Sequence, residues 1–424
     1  MSAFAVLAIL IVLLLAGLPV AFALGGLGAA LLLFNDVPLI MVPQGLYSSI
    51  DSFVLLAVPL FILMSNILLK GGVGSDLFRA VQAWVGHWPG GLAVATVISC
   101  AIFGAISGSS VATAATIGVI AIPEMIKRGY KPHFVYGLLA AGGTLGILIP
   151  PSIPMIVLGV VIEESITSLF LAGIGPGLLM AFLFIGFSVA YAKLAGGFEA
   201  QRRATWEERR KATIRALPTL FLALVIILGI YLGVFTPTES AGIGFTLSLL
   251  LTTFVLRSLS WASLKEAVAE SMRTTVTLML ILAGAKVFGQ AITLMRIPHE
   301  VSTMIVANVD TAGGFVAIVC SMLLVMGFFL EALAMTIIMA PVLYPTLAPL
   351  GLDPIWFGVI FVIMIEAALI SPPVGLNLFI IQAIAKASLG EVIRGAWPFI
   401  LMMLGAIAAI YAWPGIALTI PFKL

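Results

Sequence analysis

A double proline stands inside each of two apolar runs long enough to cross a bilayer: Leu148-Ile149-Pro150-Pro151-Ser152 and Ile370-Ser371-Pro372-Pro373-Val374. Proline lacks an amide donor and clashes with the preceding turn, so each pair frees backbone carbonyls that lipid cannot satisfy. Such backbone persists at membrane depth only inside protein or beside water. A helix broken there points carbonyl ends at cations and amide ends at anions, the arrangement expected of a secondary carrier's binding site. The two breaks lie about half a chain apart, which suggests a duplicated carrier with one broken helix per half.

Composition narrows the class. Of 424 residues, 62% are hydrophobic and only 9% charged, against about a quarter charged in soluble domains. The chain reads as a polytopic membrane protein with room for roughly ten spans of about 20 residues and no sizeable soluble domain. Its net charge of +2 comes from basic residues scattered in short connections, so it gives no reason to expect nucleic acid. Cys100 and Cys320 stand alone in apolar runs, without metal-ligand spacing, and read as packing residues. The N-terminus has no Lys or Arg before its first apolar run and reads as a retained span.

The apolar stretches repeat. Pro19 and Pro237 are 218 residues apart, Pro123 and Pro341 also 218, and Pro150 and Pro372 are 222 apart. The expected division is a first repeat over 1–198, a cytoplasmic amphipathic connection over 199–213 and a second repeat over 214–424. The fourth stretch of each half is too long for one crossing and rich in small residues or proline, which predicts a re-entrant hairpin. Five crossings per half are left, and odd parity turns the second half upside down. The fold class is therefore an all-α membrane protein of two inverted repeats, each with about five spans, a hairpin and a discontinuous helix. Its transport core covers approximately 92–162 and 313–385, and the remainder forms a scaffold.

Lys and Arg placement tests the topology, because cytoplasmic connections are enriched in them. Lys193 to Arg215 holds seven basic residues against three acids, which places it in the cytoplasm. Lys70 with Arg79, Lys127-Arg128, Arg257 with Lys265, and Lys386 with Arg394 then fall inside. Glu163-Glu164 and Asp310 fall outside, and both termini are expected to be periplasmic. Glu199 to Leu217 and Trp261 to Met272 alternate charge with apolar residues at loosely helical spacing. They read as interfacial amphipathic arms or, more plainly, as solvated loops.

The first hairpin carries a hydroxyl cluster, Ser107-Gly-Ser109-Ser110-Val-Ala-Thr113. Hydroxyls and free carbonyls are hard oxygen ligands suited to Na⁺, and a Gly-Ser tip lets amides face a carboxylate. Small residues at a helix interface also simply permit close packing. At an offset of 222, Gly146 of the first broken helix pairs with Ala368 of the second, and Ile149 with Ser371. Their carbonyls are candidate cation ligands. The second hairpin, around Gly327, lacks the serines, so its contribution is expected from backbone. Glu331 and Glu366 lie at expected membrane depth, where an uncompensated carboxylate costs about 3 kcal/mol. They read either as a cation or proton site, or as carboxylates capping half-helices or pairing with Lys286 or Arg296. Glu239, in Thr236-Pro-Thr-Glu-Ser240, reads as a helix cap, and His87, His133 and His299 as interfacial residues.

At Ile106-Ser-Gly-Ser-Ser-Val-Ala-Thr113, Gly143-Thr-Leu-Gly-Ile-Leu-Ile-Pro-Pro-Ser-Ile-Pro154, Thr236-Pro-Thr-Glu-Ser240, Phe329-Leu-Glu-Ala-Leu333 and Ser371-Pro-Pro-Val-Gly-Leu-Asn377, the chain resembles the large membrane subunit of TRAP transporters, the tripartite ATP-independent periplasmic carriers for organic acids. The resemblance covers essentially the whole sequence. It implies an elevator-type, Na⁺-driven symporter of the bacterial inner membrane. Such a carrier takes its organic acid from a soluble periplasmic binding protein and works with a small four-span membrane subunit, expected here as a separate polypeptide. By similarity, Ser107 and Ser110 with Gly146, Ile149 and Pro151 would hold one sodium, and Gly327, Ala368, Ser371 and Val374 another, with Glu331 and Glu366 as possible additions. Ala368 and Ser371 stand where the family often has Gly and Thr.

The substrate is expected between the hairpin tips, with Ser109, Thr113, Thr144 and Asn377 as direct contacts and half-helix amides holding the carboxylate. Two rival classes remain. An intramembrane serine hydrolase would need a base within reach of the serine cluster, and no His falls at membrane depth in this topology. A permease subunit of an ATP-driven transporter would need a separate ATPase, because the chain has no Walker motif.

Overall fold

A computed structural model describes residues 3–423, apart from 39, 196–200, 309–310, 329 and 374. Among the described residues the regular elements are all helical. The residue pattern explains where several helices begin. Thr205 with Glu208, Thr236 with Glu239 and Ser388 with Glu391 form capping boxes, each satisfying free amides at both ends of one turn. Glu239 is thus the expected cap: its amide donates to Thr236 Oγ1 at 3.3 Å, and Glu239 Oε2 accepts from the Thr236 amide at 2.8 Å.

Among the described residues seven helices are long and apolar enough to cross a membrane, and Pro132–Leu148 with Ile153–Ile162, bent by 44° at the break, passes the same test as a pair. The other apolar helices have 10–17 residues, short of the ~20 that a straight crossing needs. They include both arms of the second hairpin and both pieces of the second broken helix.

The element order runs twice. Val20–Phe34, Ala57–Lys70 and Val73–Val85 lead into hairpin 1 (Gly91–Ser107 and Ser110–Lys127), broken helix 1 (Pro132–Leu148 and Ile153–Ile162) and Ile166–Ala195. Pro237–Leu250, Trp261–Leu294 and Ile297–Asn308 lead into hairpin 2 (Ala312–Met326 and Ala332–Leu343), broken helix 2 (Pro354–Leu369 and Leu376–Ala385) and Leu389–Ala412.

Packing between the halves is reciprocal. Val20–Phe34 lies on Trp261–Leu294, and in return Pro237–Leu250 lies on Ala57–Lys70. Ser110–Lys127 packs on Leu376–Ala385, as Ala332–Leu343 does on Ile153–Ile162. Pro132–Leu148 meets Leu389–Ala412, as Pro354–Leu369 meets Ile166–Ala195. Exchange of i-to-j for j-to-i contact is what a two-fold relation produces. Bare glycine faces let one such pair approach closely: a Cβ at Gly28 would lie 2.7 Å from Phe288 N, a separation that only small residues permit.

The arms differ from expectation. Trp261–Met272 is the first third of one unbroken 34-residue helix, Trp261–Leu294. Trp206–Tyr231 likewise runs straight through residue 213, the expected end of the connection, and accommodates Pro218 inside the helix. The second junction contains no glycine or proline to stop helix propagation, and at the first the helix continues through Pro218, so arm and span fuse. Residues 199 and 200 of the connection, and Asp310, lie outside the described residues. Lys70 fastens the second arm, reaching Glu266 at 3.1 Å and Glu270 at 2.9 Å, two carboxylates one turn apart on the same face.

Candidate functional site

Hairpin 1 turns through Gly108, whose φ of 61° lies in the left-handed region that glycine occupies without strain. Ser109 then caps the second arm, accepting from the Ala112 amide at 3.3 Å. Ser107 Oγ and Thr113 Oγ1 are 2.9 Å apart, and Thr113 Oγ1 donates to Ser109 O at 2.7 Å. Broken helix 1 comes directly against this tip. Its second piece starts at Ile153 behind the Ser152 cap, and the Ile153 amide donates to Gly108 O at 3.5 Å.

The tip and the break meet at two glycines. A Cβ on Gly146 would lie 2.7 Å from Thr113 Oγ1 and 3.0 Å from both Ser109 O and Gly104 Cα. Oxygen atoms therefore crowd the Gly146 backbone where a side chain would otherwise stand. Of the predicted ligands, Ser107 and Gly146 belong to this neighbourhood, and Pro151 O lies 2.8 Å from a Cβ built on Gly108, all of them neutral oxygen groups. Among the described residues no cluster of three His, Cys, Asp or Glu side chains exists. Such an oxygen set fits a hard monovalent cation and not a transition metal. Ser110 is committed differently: its Oγ accepts from Asn377 Nδ2, which also donates to Ala140 O at 3.1 Å.

The second half repeats the contact with one change. A Cβ added at Gly327 would collide with the Ala368 methyl, so Gly327 meets Ala368 as Gly104 meets Gly146. Ser371 Oγ donates to Ala367 O at 2.7 Å, leaving its lone pairs free to accept or ligate. Val374 lies outside the described residues. The arms of hairpin 2 both pack on Pro354–Leu369, whereas those of hairpin 1 also pack on each other.

Both tips open onto one cavity of about 410 Å³, closed on the far side by Ala57–Lys70 and Trp261–Leu294. Its lining includes the first residues of four helices: Ser110 to Ala112, Ile153 and Pro154, Ala332 and Leu333, and Leu376. Each brings the positive end of a helix dipole to the cavity, although the Ala112 amide is taken by Ser109 Oγ, the Ile153 amide by Gly108 O, and Pro154 has none. Among the described lining residues there is no Lys, Arg or His, and Glu331 is the one carboxylate. The remaining polar groups come from Ser109 and Ser110 at the tip and from Ser65, Asn66 and Thr274 on the facing helices.

Of the predicted substrate contacts, Ser109 lines this cavity. Thr113, Thr144 and Asn377 are fully buried behind it, and Thr144 Oγ1 donates to Ala141 O at 2.7 Å. Among the described residues neither Glu331 nor Glu366 makes an ion pair with Lys286 or Arg296. The pairing alternative fails because Glu366 is enclosed, with both carboxylate oxygens buried and without a hydrogen-bond partner. Glu331 instead faces this cavity and a neighbouring one of about 520 Å³. It stands at the N-cap of Ala332–Leu343 but makes no side-chain cap bond. Sequence reasoning passed over Ser65 and Asn66, although they are the only polar pair in the apolar run Ala57–Leu69.

A membrane protein with two broken helices, two tips and a shared cavity met by four helix N-termini is a secondary carrier by architecture. The chain belongs to the family described as the tripartite ATP-independent periplasmic transporter, DctM component, which matches residues 7–416. It is 37% identical to the C4-dicarboxylate TRAP transporter large permease protein DctM of Pseudomonas aeruginosa, over 93% of each chain. It is also 37% identical to the ectoine/5-hydroxyectoine TRAP transporter large permease protein UehC of Ruegeria pomeroyi, over 96% of each. The isethionate TRAP transporter permease protein DctMQ of Oleidesulfovibrio alaskensis is 34% identical over 93% of this chain and 62% of its own length. The crystal structure of the Alcanivorax borkumensis YdaH transporter matches in fold, with a TM-score of 0.61, 16% identity and 89% of each chain covered.

The protein is accordingly a multi-pass membrane permease, a substrate-binding-protein-dependent secondary transporter and not an enzyme. Its family works with a binding protein and a small membrane subunit. The serine-hydrolase reading falls with that assignment. Within the structure, the tip hydroxyls bond to one another, to backbone and to Asn377.

Proposed function

We propose that the chain imports a small organic acid, delivered by a periplasmic binding protein, in symport with Na⁺ across the bacterial inner membrane. The observation that carries this reading is the convergence of four helix N-termini on one cavity whose described lining holds no basic side chain. Helix N-termini accept carboxylates without a formal cation. Sodium would supply the balancing positive charge from behind the tips. One ion would lie at Ser107, Gly146, Ile149 and Pro151, with Ser110 alongside. A second would lie at Gly327, Ala368, Ser371 and Val374, with Glu331 or Glu366 as possible additions.

Alternating access follows from an elevator motion of the hairpins and broken helices (92–162 and 313–385) along the scaffold, the halves being inverted repeats with both termini periplasmic. The tip cavity lies beside Leu69, next to the Lys70 anchor on the Lys/Arg-rich side, so this conformation is inward-facing.

The test uses the large and small membrane subunits in proteoliposomes with the cognate binding protein. Labelled succinate, isethionate, ectoine and a sugar acid are offered under an imposed Na⁺ gradient. Uptake of at least one acid that collapses when Na⁺ is replaced by K⁺ is the expected result. Uptake that needs ATP and ignores Na⁺ would overturn it in favour of an ATP-driven permease.

A further inference from the structure

A second cavity, also about 410 Å³, lies between the same scaffold and the other side of the moving elements. Its scaffold wall includes Leu282, Ala285, Lys286 and Gly289. These stand 220 residues after Ile62, Ser65, Asn66 and Leu69, which line the tip cavity. The scaffold therefore presents one docking face twice, once from each half, with Lys286 where the tip cavity has Asn66.

Asn66 is held within the scaffold, its Nδ2 donating to Ser271 Oγ at 2.8 Å. Lys286 is exposed to its cavity, and among the described residues no carboxylate lines that cavity or lies within ion-pair reach. Gln290, one turn further along the same face, also lines the cavity, and its Oε1 is buried without a hydrogen-bond partner. Ser48 and Ser52 face them from the first half. Lys286 is fifteen residues beyond Ser271 on one continuous helix, about 22 Å along its axis. The two faces are thus separated along the direction of transport.

We infer that Lys286 forms the outer station for the substrate carboxylate, gripping the anion when the tips stand against the second cavity, and that Asn66 is its neutral counterpart at the inner station. This rests on the proposed elevator reading and adds a direction to it. A cation at the loading face and an amide at the release face bias an anionic cargo toward capture outside and release inside.

The complete tripartite complex in oriented vesicles tests the idea, with labelled succinate as the first probe and the other acids of the panel after it. Lys286→Asn is expected to raise the external half-saturation for uptake about tenfold, the scale of one charge-assisted hydrogen bond, with the maximal rate and the internal half-saturation for counterflow nearly unchanged. Lys286→Arg restores the external value, and Asn66→Lys lowers the internal one. An unchanged external half-saturation in Lys286→Asn, beside working wild-type uptake, overturns the inference while leaving Na⁺ symport intact. Wild-type vesicles that take up no acid under a Na⁺ gradient sink the transport reading instead. An arm independent of transport follows acylation of Lys286 by an amine-reactive reagent, read by mass spectrometry. Protection by external succinate supports a carboxylate station. Protection by phosphatidylglycerol in the bilayer, but not by succinate, assigns the lysine to a lipid headgroup and overturns it.

Discussion

The carboxamide of Asn377 donates to Ser110 Oγ and to Ala140 O, tying the start of the last half-helix of the second repeat to hairpin 1 and broken helix 1 of the first. Ala140 O can only accept, so Nδ2 must face it, and the side-chain orientation is fixed. Asn377 Oδ1 is buried without a hydrogen-bond partner among the described residues.

Ser110→Ala removes one of the two acceptors of that amide. About 1 kcal/mol of stability should be lost, visible as a small fall in the melting temperature of the purified complex, together with a larger loss of Na⁺ activation in uptake assays. Na⁺ activation identical to wild type would show that the Ser110 hydroxyl has only a structural role.

Gly146→Ala places a methyl against Thr113 Oγ1, Ser109 O and Gly104 Cα, all at or under 3.0 Å. The tip must shift, and Na⁺-dependent uptake should vanish at near-normal expression. At the equivalent contact Ala368→Gly only removes a methyl from Gly327, so uptake should persist. Loss of activity in Ala368→Gly alone would break the equivalence drawn between the two contacts.

Glu366 has two carboxylate oxygens in a fully buried position with no hydrogen-bond partner among the described residues, an arrangement that stability alone disfavours. Glu366→Leu removes that burden, so folded yield should match or exceed wild type, while coupled uptake should fall to background. Full uptake by the leucine variant would make the carboxylate dispensable.

Lys70 bridges to Glu266 and Glu270 at a half-exposed position, where ion pairs contribute about 0–1 kcal/mol. Lys70→Met should therefore lower the melting temperature slightly at low ionic strength, and the difference should shrink in high salt as screening removes it. A salt-independent deficit would point to lost packing of the lysine stem.

What was legible in the sequence is what backbone chemistry dictates. Double prolines must break a helix, a Thr-Pro-Thr-Glu-Ser segment must cap one, and a proline spacing kept near 220 marks an element order that runs twice. The serine cluster was legible as a tip because Gly108 supplies the one conformation a tight turn needs. The fused arms were not, because amphipathic and apolar segments differ in solvent and not in backbone preference, and nothing between Met272 and Val276 stops a helix. Asn377 meeting Ser110 across 267 positions was equally hidden, since spacing carries no signal for a contact made by the fold. Nor could the convergence of four N-termini be read along the chain, because each is an ordinary helix start until packing brings them together.

The fused helix Trp261–Leu294 has a mechanical consequence. At about 1.5 Å per residue its 34 residues span roughly 50 Å, longer than the hydrocarbon core it crosses. Its charged first third, held by Lys70, must therefore rest among headgroups. On the proposed elevator reading, a stiff strut of fixed length in the scaffold resists thinning of the bilayer, so mismatch falls on the elements that would slide against it. Turnover should then depend on acyl-chain length, with an optimum where the membrane matches the strut.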